Sequence, residues 1–262
     1  MSSQKESTAR TLTVALLVCL VCSVFVAGAA IALKPTQVEN RVLDKQRSIL
    51  AIAGLSEPGM SAAQIKRLFG ERIVAKVIDL ETGKFSDAQD PQTFDPLKAA
   101  KDPKLSKVLP SSEDIAGIKR QERYTTVYMV EKDGELDTLI LPVRGYGLWS
   151  TLYGFMALKG DLNTVVGMGF YQHGETPGLG GEVDNPKWKG QWPGKTLFDA
   201  DGNLAVQVVK GGVDPQSPQA IHQVDGLAGA TLTGKGVDNL LKFWLGQGGF
   251  GPFIANLRAG EA

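Results

Sequence analysis

Residues 225–236, DGLAGATLTGKG, combine small side chains with two threonine hydroxyls in a spacing that suits either of two chemistries. The spacing from Gly229 to Lys235 is that of a phosphate-binding loop, but Gly236 stands where such a loop needs a Ser or Thr hydroxyl for Mg²⁺. Alternatively, Thr231 offers an unhindered hydroxyl just ahead of a helix, where an enzyme can attach a cofactor. A phosphate at a helix start is stabilised by free amide groups and the positive end of the dipole.

A purely structural interpretation of the same segment is also open. Thr231 and Thr233 would then cap a helix that begins near Gly234, and Asp225-Gly226 would form a turn. The spacing alone favours this structural interpretation, because a short Gly-Ala-Thr run is common by chance.

The overall composition is that of an ordinary globular protein with one unusual segment. The 262 residues suffice for one fair-sized domain or two small ones, and 28 basic residues balance 28 acidic ones. No long basic run is present, so nucleic acid is not expected as a partner. Residues 11–33 hold no charged residue, and about 20 apolar residues are enough to span a bilayer.

The apolar segment 11–33 is either a retained transmembrane helix or a cleaved signal peptide. In a signal peptide, Ala27-Gly28-Ala29 would be the cleavage site. We favour the retained helix, because the apolar run is longer than a signal core and continues past that site. Both interpretations place the remaining residues across the membrane, with residues 1–10 in the cytoplasm.

The charges that flank this segment give a weak indication of its orientation. A literal positive-inside count points the other way, because more basic residues follow the segment than precede it. These are Lys34, Arg41, Lys45 and Arg47 after it, and Lys5 and Arg10 before it. A long following domain is translocated largely regardless of its charge, so we expect the N-terminus inside.

Neither the cysteines nor the histidines predict a metal centre. Cys19 and Cys22 lie within the apolar run and are interpreted as small apolar residues of a membrane helix. His173 and His222 are too few for a histidine-rich metal site. Trp188 and Trp192 are interpreted either as part of the core or as a partner surface.

Hydrophobic patterning predicts both helices and strands after the apolar segment. Helical spacing indicates a stalk helix over 38–55, a capped helix over 62–69 and an amphipathic helix over 235–245. The polar stretch 82–110 is expected to be a loop.

A hairpin is the clearest β signal, because two β-rich runs, 124–130 and 138–143, flank Asp133-Gly134. Further β-rich runs cover 162–171 and 204–209. The predicted fold class is therefore α+β, with a mainly antiparallel sheet and flanking helices.

Residues 225–233 resemble the flavinylation motif D-G-x-[ST]-G-A-T-x-[ST] of the FMN-binding domain in the C subunits of Na⁺-translocating NADH:quinone reductases and in their Rnf relatives. Every position matches except Ala228, where the family usually has Ser or Thr. The sequence also has the family's E-T-P-G-L-G at 175–180 and F-W-L-G at 243–246. The resemblance covers essentially the whole chain and favours the Na⁺ pump over Rnf.

This resemblance implies that FMN is joined covalently through its phosphate to Thr231, with Thr233 as second choice, by a dedicated flavin transferase. The chain would relay electrons within a six-subunit complex that oxidises NADH, reduces ubiquinone and exports Na⁺. Catalysis would belong to the complex, and no catalytic residue is expected on this chain. The implied location is the bacterial inner membrane, with an FMN-binding domain of residues 121–262 on the periplasmic side, after a stalk and α-rich part, 34–120.

A flavin ring needs a flat apolar slot with a few polar groups at its edge. We expect Trp149 and Leu179 to contact its two faces, although ordinary core packing is the alternative for both. The expected polar contacts are Ser150, Thr151, Glu175 and Thr176, and the alternative for Glu175 is a solvated loop carboxylate. The remaining expected cofactor-binding residues are Gly180, Asp225, Ala228, Gly229, Ala230 and Leu232.

A membrane-anchored binding or assembly protein without redox chemistry is the competing functional class. In such a protein the threonine segment would only begin a helix. A purified chain without covalent flavin, from a host that has the flavin transferase, would favour this class.

Overall fold

The computed structural model describes residues 7–262, so Lys5 and the rest of the first six residues lie outside the described residues. The chain separates into two compact units, one ending at Asp44 and the other covering Lys45–Ala262. The helices are α1 (Thr8–Ile52), α2 (Ala62–Arg72), α3 (Pro96–Ala99), α4 (Pro186–Lys189), α5 (Thr231–Leu245) and α6 (Gly251–Ala259). Short 3₁₀ helices cover Gly180–Asp184 and Pro218–His222.

Helix α1 provides the described residues of the first unit. Its most apolar 18-residue window has a mean hydropathy of 2.8 and no buried residue, so its length and composition suit a membrane span. The predicted membrane segment and residues 38–52 of the predicted stalk belong to this same helix, which contains Pro35 and ends at Ile52, three residues before the predicted end of the stalk. Ile49 and Leu50, near its end, are fully buried within the second unit.

The second unit is built on a six-stranded sheet in which every neighbouring pair is antiparallel. The strands are β1 (Val74–Asp79), β2 (Lys84–Phe85), β3 (Ser106–Val108), β4 (Arg120–Glu122), β5 (Tyr124–Lys132), β6 (Glu135–Tyr146), β7 (Thr151–Lys159), β8 (Val165–Gln172), β9 (Gln207–Val208) and β10 (Gln223–Val224). The order in the main sheet is β2-β1-β5-β6-β7-β8, while β3 pairs with β4 and β9 with β10. The predicted α+β class with a mainly antiparallel sheet is confirmed.

The predicted hairpin is formed by β5 and β6. Its two turn residues, Asp133 and Gly134, have φ of 55° and 84°. Positive φ at both positions matches the right-handed twist of the flanking strands, which is why Asp-Gly is a strong hairpin signal.

Two local predictions were wrong. The stretch 82–110 contains β2, α3 and β3, which are too short to show a periodic pattern. The capped helix continues past Gly70 to Arg72, and the amide of Ile73 after it still donates to the Phe69 carbonyl at 3.0 Å. The domain boundary at residue 120 stays a prediction, although β1 and β2 from the first part belong to the main sheet.

Helix α5 is held against strand β6 by Trp244 and Arg144. The indole Nε1 of Trp244 donates to the backbone oxygen of Arg144 at 2.7 Å, and the guanidinium lies 5.3 Å from the Trp244 ring centre. Arg144 also forms a buried ion pair with Glu122 at 2.6 Å. These contacts fix α5 over the end of β6, next to the segment that joins β6 to β7.

Candidate functional site

The threonine segment forms a tight turn followed directly by α5. The amide of Ala230 donates to the carbonyl of Leu227 at 3.1 Å, and Gly229 has a φ of 70°, which is in the left-handed region that favours glycine. Helix α5 begins at Thr231, whose side chain is exposed, and Ala230 before it supplies no side-chain cap. The helix therefore starts with an exposed hydroxyl and without a capping side chain, an arrangement suited to a phosphate.

The predicted helix start at Gly234, with Thr233 as its cap, was wrong. Thr233 is the third residue of α5 and only 1% exposed, and its hydroxyl donates to Oε2 of Glu175 at 2.7 Å. The helix begins earlier than predicted, so Thr233 lies inside it, and its hydroxyl donates to the buried charged acceptor Glu175. The two threonines of the segment thus differ, one being exposed and the other buried and hydrogen-bonded.

Glu175 is a buried carboxylate, 5% exposed, that organises the segment between β6 and β7. Besides Thr233, it accepts hydrogen bonds from the backbone amides of Leu148 at 3.2 Å, Trp149 at 3.0 Å and Ser150 at 3.1 Å. The alternative of a solvated loop carboxylate is therefore wrong.

The charge of Glu175 is stabilised by these hydrogen bonds. Burial alone would raise the pKa of Glu175, yet its pKa is lowered, because the bonds from Thr233 and from the amides of residues 148–150 outweigh the desolvation. Glu175 is therefore ionised at neutral pH. Its carboxylate connects the β6–β7 segment with α5, because both donate hydrogen bonds to it.

Three glycines near Glu175 and α5 leave no room for a Cβ. A Cβ on Gly236 would lie 2.5 Å from the carbonyl oxygen of Tyr146. A Cβ on Gly180 would lie 2.6 Å from Oγ1 of Thr233, and one on Gly147 would lie 2.7 Å from Oε1 of Glu175. Gly236, the position that departs from a phosphate-binding loop, is thus explained by helix packing against Tyr146.

Three apolar side chains of the predicted site are exposed. Trp149 is 67% exposed, Leu179 45% and Leu232 59%, so core packing is the wrong alternative for Trp149 and Leu179. A Cβ placed on Gly229 would lie 3.1 Å from Cδ2 of Leu179, which puts Leu179 against the turn before Thr231. Leu179 and Leu232 are thus exposed apolar groups next to an exposed hydroxyl at a helix start, an arrangement that fits a flavin attached through its phosphate.

The other expected polar contacts lie in the same region. Oγ of Ser150 accepts from the amide of Gly174 at 2.6 Å, which connects the β6–β7 segment to the segment before Glu175. Thr151 begins β7 opposite Tyr146. Thr176 is exposed, and its carbonyl oxygen accepts from the amides of Leu179 at 3.1 Å and Gly181 at 2.9 Å.

Asp225, the first residue of the motif, is held by residues that no sequence pattern connects with it. Trp188 Nε1 donates to the backbone oxygen of Asp225 at 2.9 Å, and the Asp225 amide donates to Oε1 of Gln191 at 3.0 Å. Trp188 and Trp192 are 5% and 0% exposed, so both belong to the core and the partner-surface interpretation is wrong.

His173 has a local structural role. Its Nε2 lies 2.8 Å from Oδ2 of Asp184, and its Nδ1 accepts from the amide of Glu175 at 3.2 Å. The contact of Nδ1 with the amide puts the proton on Nε2, which donates to Asp184. His173 thereby orients the backbone immediately before the buried carboxylate.

The fold and this site define an FMN-binding domain that follows an apolar N-terminal helix. The family model described as FMN-binding domain matches residues 147–246, which include Glu175 and Thr231. The C subunit of the Na(+)-translocating NADH-quinone reductase of Pseudomonas aeruginosa is 77% identical, over 99% of this chain and 100% of the relative. The protein of the same name from Yersinia pestis is 50% identical, over 97% of this chain and 95% of the relative.

A solved structure agrees with this assignment. The crystal structure of Shewanella oneidensis NqrC is 39% identical with a TM-score of 0.74 and covers 82% of this chain and 96% of its own. The chain therefore belongs to the C subunits of the Na⁺-translocating NADH-quinone reductases, an oxidoreductase complex, and the family inferred from residues 225–233 is confirmed.

Proposed function

We propose that this chain is the electron-carrying subunit of a Na⁺-translocating NADH:ubiquinone reductase and that it carries FMN in phosphoester linkage to Oγ1 of Thr231. The observation that carries the linkage is the exposed hydroxyl of Thr231 in the first turn of α5, which has no side-chain cap. Bound FMN supplies reversible electron uptake, and the protein holds and orients it.

Thr231 is a better acceptor than Thr233 for two reasons. A transferase must reach the hydroxyl, and Thr233 is only 1% exposed. The Thr233 hydroxyl also donates to Glu175, so its use would leave a buried carboxylate without one of its donors. The exposed Thr231 has neither disadvantage.

The attachment is a phosphoryl transfer without oxidation or reduction. A flavin transferase would supply FMN as part of a phosphoric anhydride. The bond from Thr231 Oγ1 to the FMN phosphorus forms, and the anhydride P–O bond breaks. The hydroxyl proton is taken by a base of the transferase, and the other phosphate of the anhydride leaves.

The side chains of the site have distinct roles towards the cofactor. Trp149, Leu179 and Leu232 supply the apolar surface for the ring, because all three are exposed apolar side chains. Leu179 lies against the turn before Thr231, and Glu175 connects the Trp149 amide to Thr233. Ser150, Thr151 and Thr176 supply polar groups at its edge, whereas Glu175 acts through its hydrogen bonds to the backbone and to Thr233. Backbone positions around the phosphate are Gly180, Asp225, Ala228, Gly229 and Ala230.

The covalent linkage suits a periplasmic position. Residues 11–33 would cross the bacterial inner membrane, with residues 1–10 in the cytoplasm and the FMN-binding domain outside. Free FMN is scarce there, and a tether makes rebinding intramolecular. The other partners are the remaining members of a six-subunit complex, in which electrons pass between an iron centre and the flavin of a neighbouring subunit.

The test is to purify the full chain in detergent from a host that possesses the flavin transferase. We expect yellow protein whose mass exceeds that of the polypeptide by one FMN after denaturation. The same preparation from a host without the transferase should be colourless and is the matched control. Colourless protein from the first host would contradict the proposal and favour an anchored binding or assembly protein.

A further inference from the structure

The segment between β6 and β7 and the first turn of α5 meet at one side chain, that of Glu175. Its carboxylate accepts from three successive backbone amides, those of Leu148, Trp149 and Ser150. The same carboxylate accepts from the hydroxyl of Thr233 on α5 at 2.7 Å. One buried anion therefore connects two segments that are distant in sequence.

The hydrogen bonds to Glu175 are needed because no cation of the described residues compensates its charge. Across residues 7–262, no Lys, Arg or His side chain forms an ion pair with this carboxylate. A buried carboxylate without such a partner is costly unless hydrogen-bond donors surround it. The three amides and Thr233 are those donors, so the charge and the conformation of the β6–β7 segment depend on each other.

Two glycines, Gly147 and Gly180, give the Glu175 carboxylate the space it needs beside the backbone. A Cβ on Gly147 would meet Oε1 of Glu175 at 2.7 Å, and one on Gly180 would meet Oε2 at 2.7 Å. A Cβ at either position would displace the carboxylate from its donors.

The connection bears directly on Trp149, whose side chain is 67% exposed and is therefore not fixed by core packing. Its amide donates to Glu175 at 3.0 Å, while its carbonyl accepts a long hydrogen bond, 3.4 Å, from the Tyr146 hydroxyl. Thr233, on the other side of the carboxylate, is two residues from Thr231 in the same helical turn.

We propose that Glu175 is a positioning residue that, through Thr233, fixes Trp149 relative to Thr231 and thereby sets the orientation of the flavin ring on its tether. The proposal rests on the proposed attachment at Thr231. Glu175 does not contact the flavin in this role. It sets the distance and direction between the point where the phosphate is joined and the indole against which the ring packs.

The experiment uses the full-length chain in detergent, loaded with FMN by the transferase. Intact mass gives the fraction of chain that carries FMN, and the quenching of flavin fluorescence reports contact with Trp149. The test variants are Glu175→Gln and Thr233→Val, and Trp149→Ala gives the fluorescence of an unstacked ring. Glu182→Gln, on the adjacent 3₁₀ helix, and Thr82→Val, before β2, are the matched controls.

We expect Glu175→Gln and Thr233→Val to retain FMN at Thr231 but to recover most of the fluorescence that Trp149→Ala recovers. The double variant of Glu175→Gln with Trp149→Ala should be no more fluorescent than Trp149→Ala alone, because both changes remove the same contact. The control variants should remain quenched.

Wild-type quenching in both fully loaded test variants would overturn the proposal. Slower attachment with unchanged quenching would also overturn it, because Glu175 would then act on the acceptor hydroxyl and not on the ring. If Glu175→Gln fails to fold, Thr233→Val decides, since it retains the carboxylate and its three amide donors. Failure of the proposed function is distinguishable, because wild-type chain would then carry no FMN.

Discussion

The hydroxyl of Thr233 donates to the carboxylate of Glu175 at 2.7 Å, across 58 residues of sequence. This contact separates the two threonines of residues 231–233, because it buries one hydroxyl and leaves the other exposed. It also gives Thr233, two positions after the proposed acceptor, a structural role in the site that does not require it to carry the cofactor.

Thr233→Val should destabilise the domain while leaving the acceptor in place. The change is close to isosteric but leaves the buried carboxylate without one donor, which costs about 1–3 kcal/mol of unfolding free energy. Urea unfolding of the full chain in detergent measures the loss. Thr233→Ser, which keeps the hydroxyl, is the control and should lose less. Equal losses in the two variants would show that the methyl group, and not the hydrogen bond, is responsible.

Acid should remove the stabilisation that Glu175 provides. Its native pKa is lowered, so its contribution is fully present above the ordinary glutamate pKa of about 4.3 and is lost as the pH falls through the lower native value. The difference in unfolding free energy between wild type and Glu175→Gln should therefore be largest at neutral pH. It should shrink as the pH falls below the ordinary glutamate pKa. A difference that stays constant down to acid pH would contradict the assigned role of the charge.

Gly236→Ala should disturb the packing of α5 on the end of β6. Its Cβ would lie 2.5 Å from the carbonyl oxygen of Tyr146, and such overpacking costs about 1–3 kcal/mol. Gly234→Ala is the matched control on the same helix, because its Cβ would meet its nearest atom at 3.7 Å. That substitution should stabilise the helix by up to about 1 kcal/mol. Thermal unfolding of both variants checks the pair, and a stable Gly236→Ala protein would contradict the close approach.

Trp188→Phe should slow the attachment of FMN, because Trp188 Nε1 holds the backbone of Asp225 at the start of the motif. Loss of one hydrogen bond should cost only about 1 kcal/mol of stability. Trp192→Phe is the control, because the Trp192 Nε1 is buried without a hydrogen-bond partner among residues 7–262. A time course of the mass increment with the transferase gives both rates. Equal attachment rates for the two variants would contradict the prediction, because they would show that the hydrogen bond from Trp188 to Asp225 does not affect attachment.

The parts of the fold that are determined by residues adjacent in sequence could be predicted. The Asp133-Gly134 turn requires positive φ at both positions, and the apolar run of α1 is contiguous in the chain. The two-residue strand β2 is formed by pairing with β1 and not by local pattern, so no periodicity indicated it.

The candidate site divides in the same way. Thr231 could be identified because its neighbours in sequence make the motif. The burial of Glu175 could not, because it results from donors on two segments, residues 148–150 and α5. The connection of Trp188 to Asp225 spans 37 residues and also has no local signal.

Attachment of FMN at Thr231 is tested most sharply by the mass of the peptide that contains residues 225–235, isolated after proteolysis of chain loaded by the transferase. We expect a mass increment of one FMN on this peptide, with fragmentation placing it on Thr231 and with complete loss of the increment in Thr231→Ala. An increment that persists in Thr231→Ala, or that maps to Thr233, would contradict the proposed linkage.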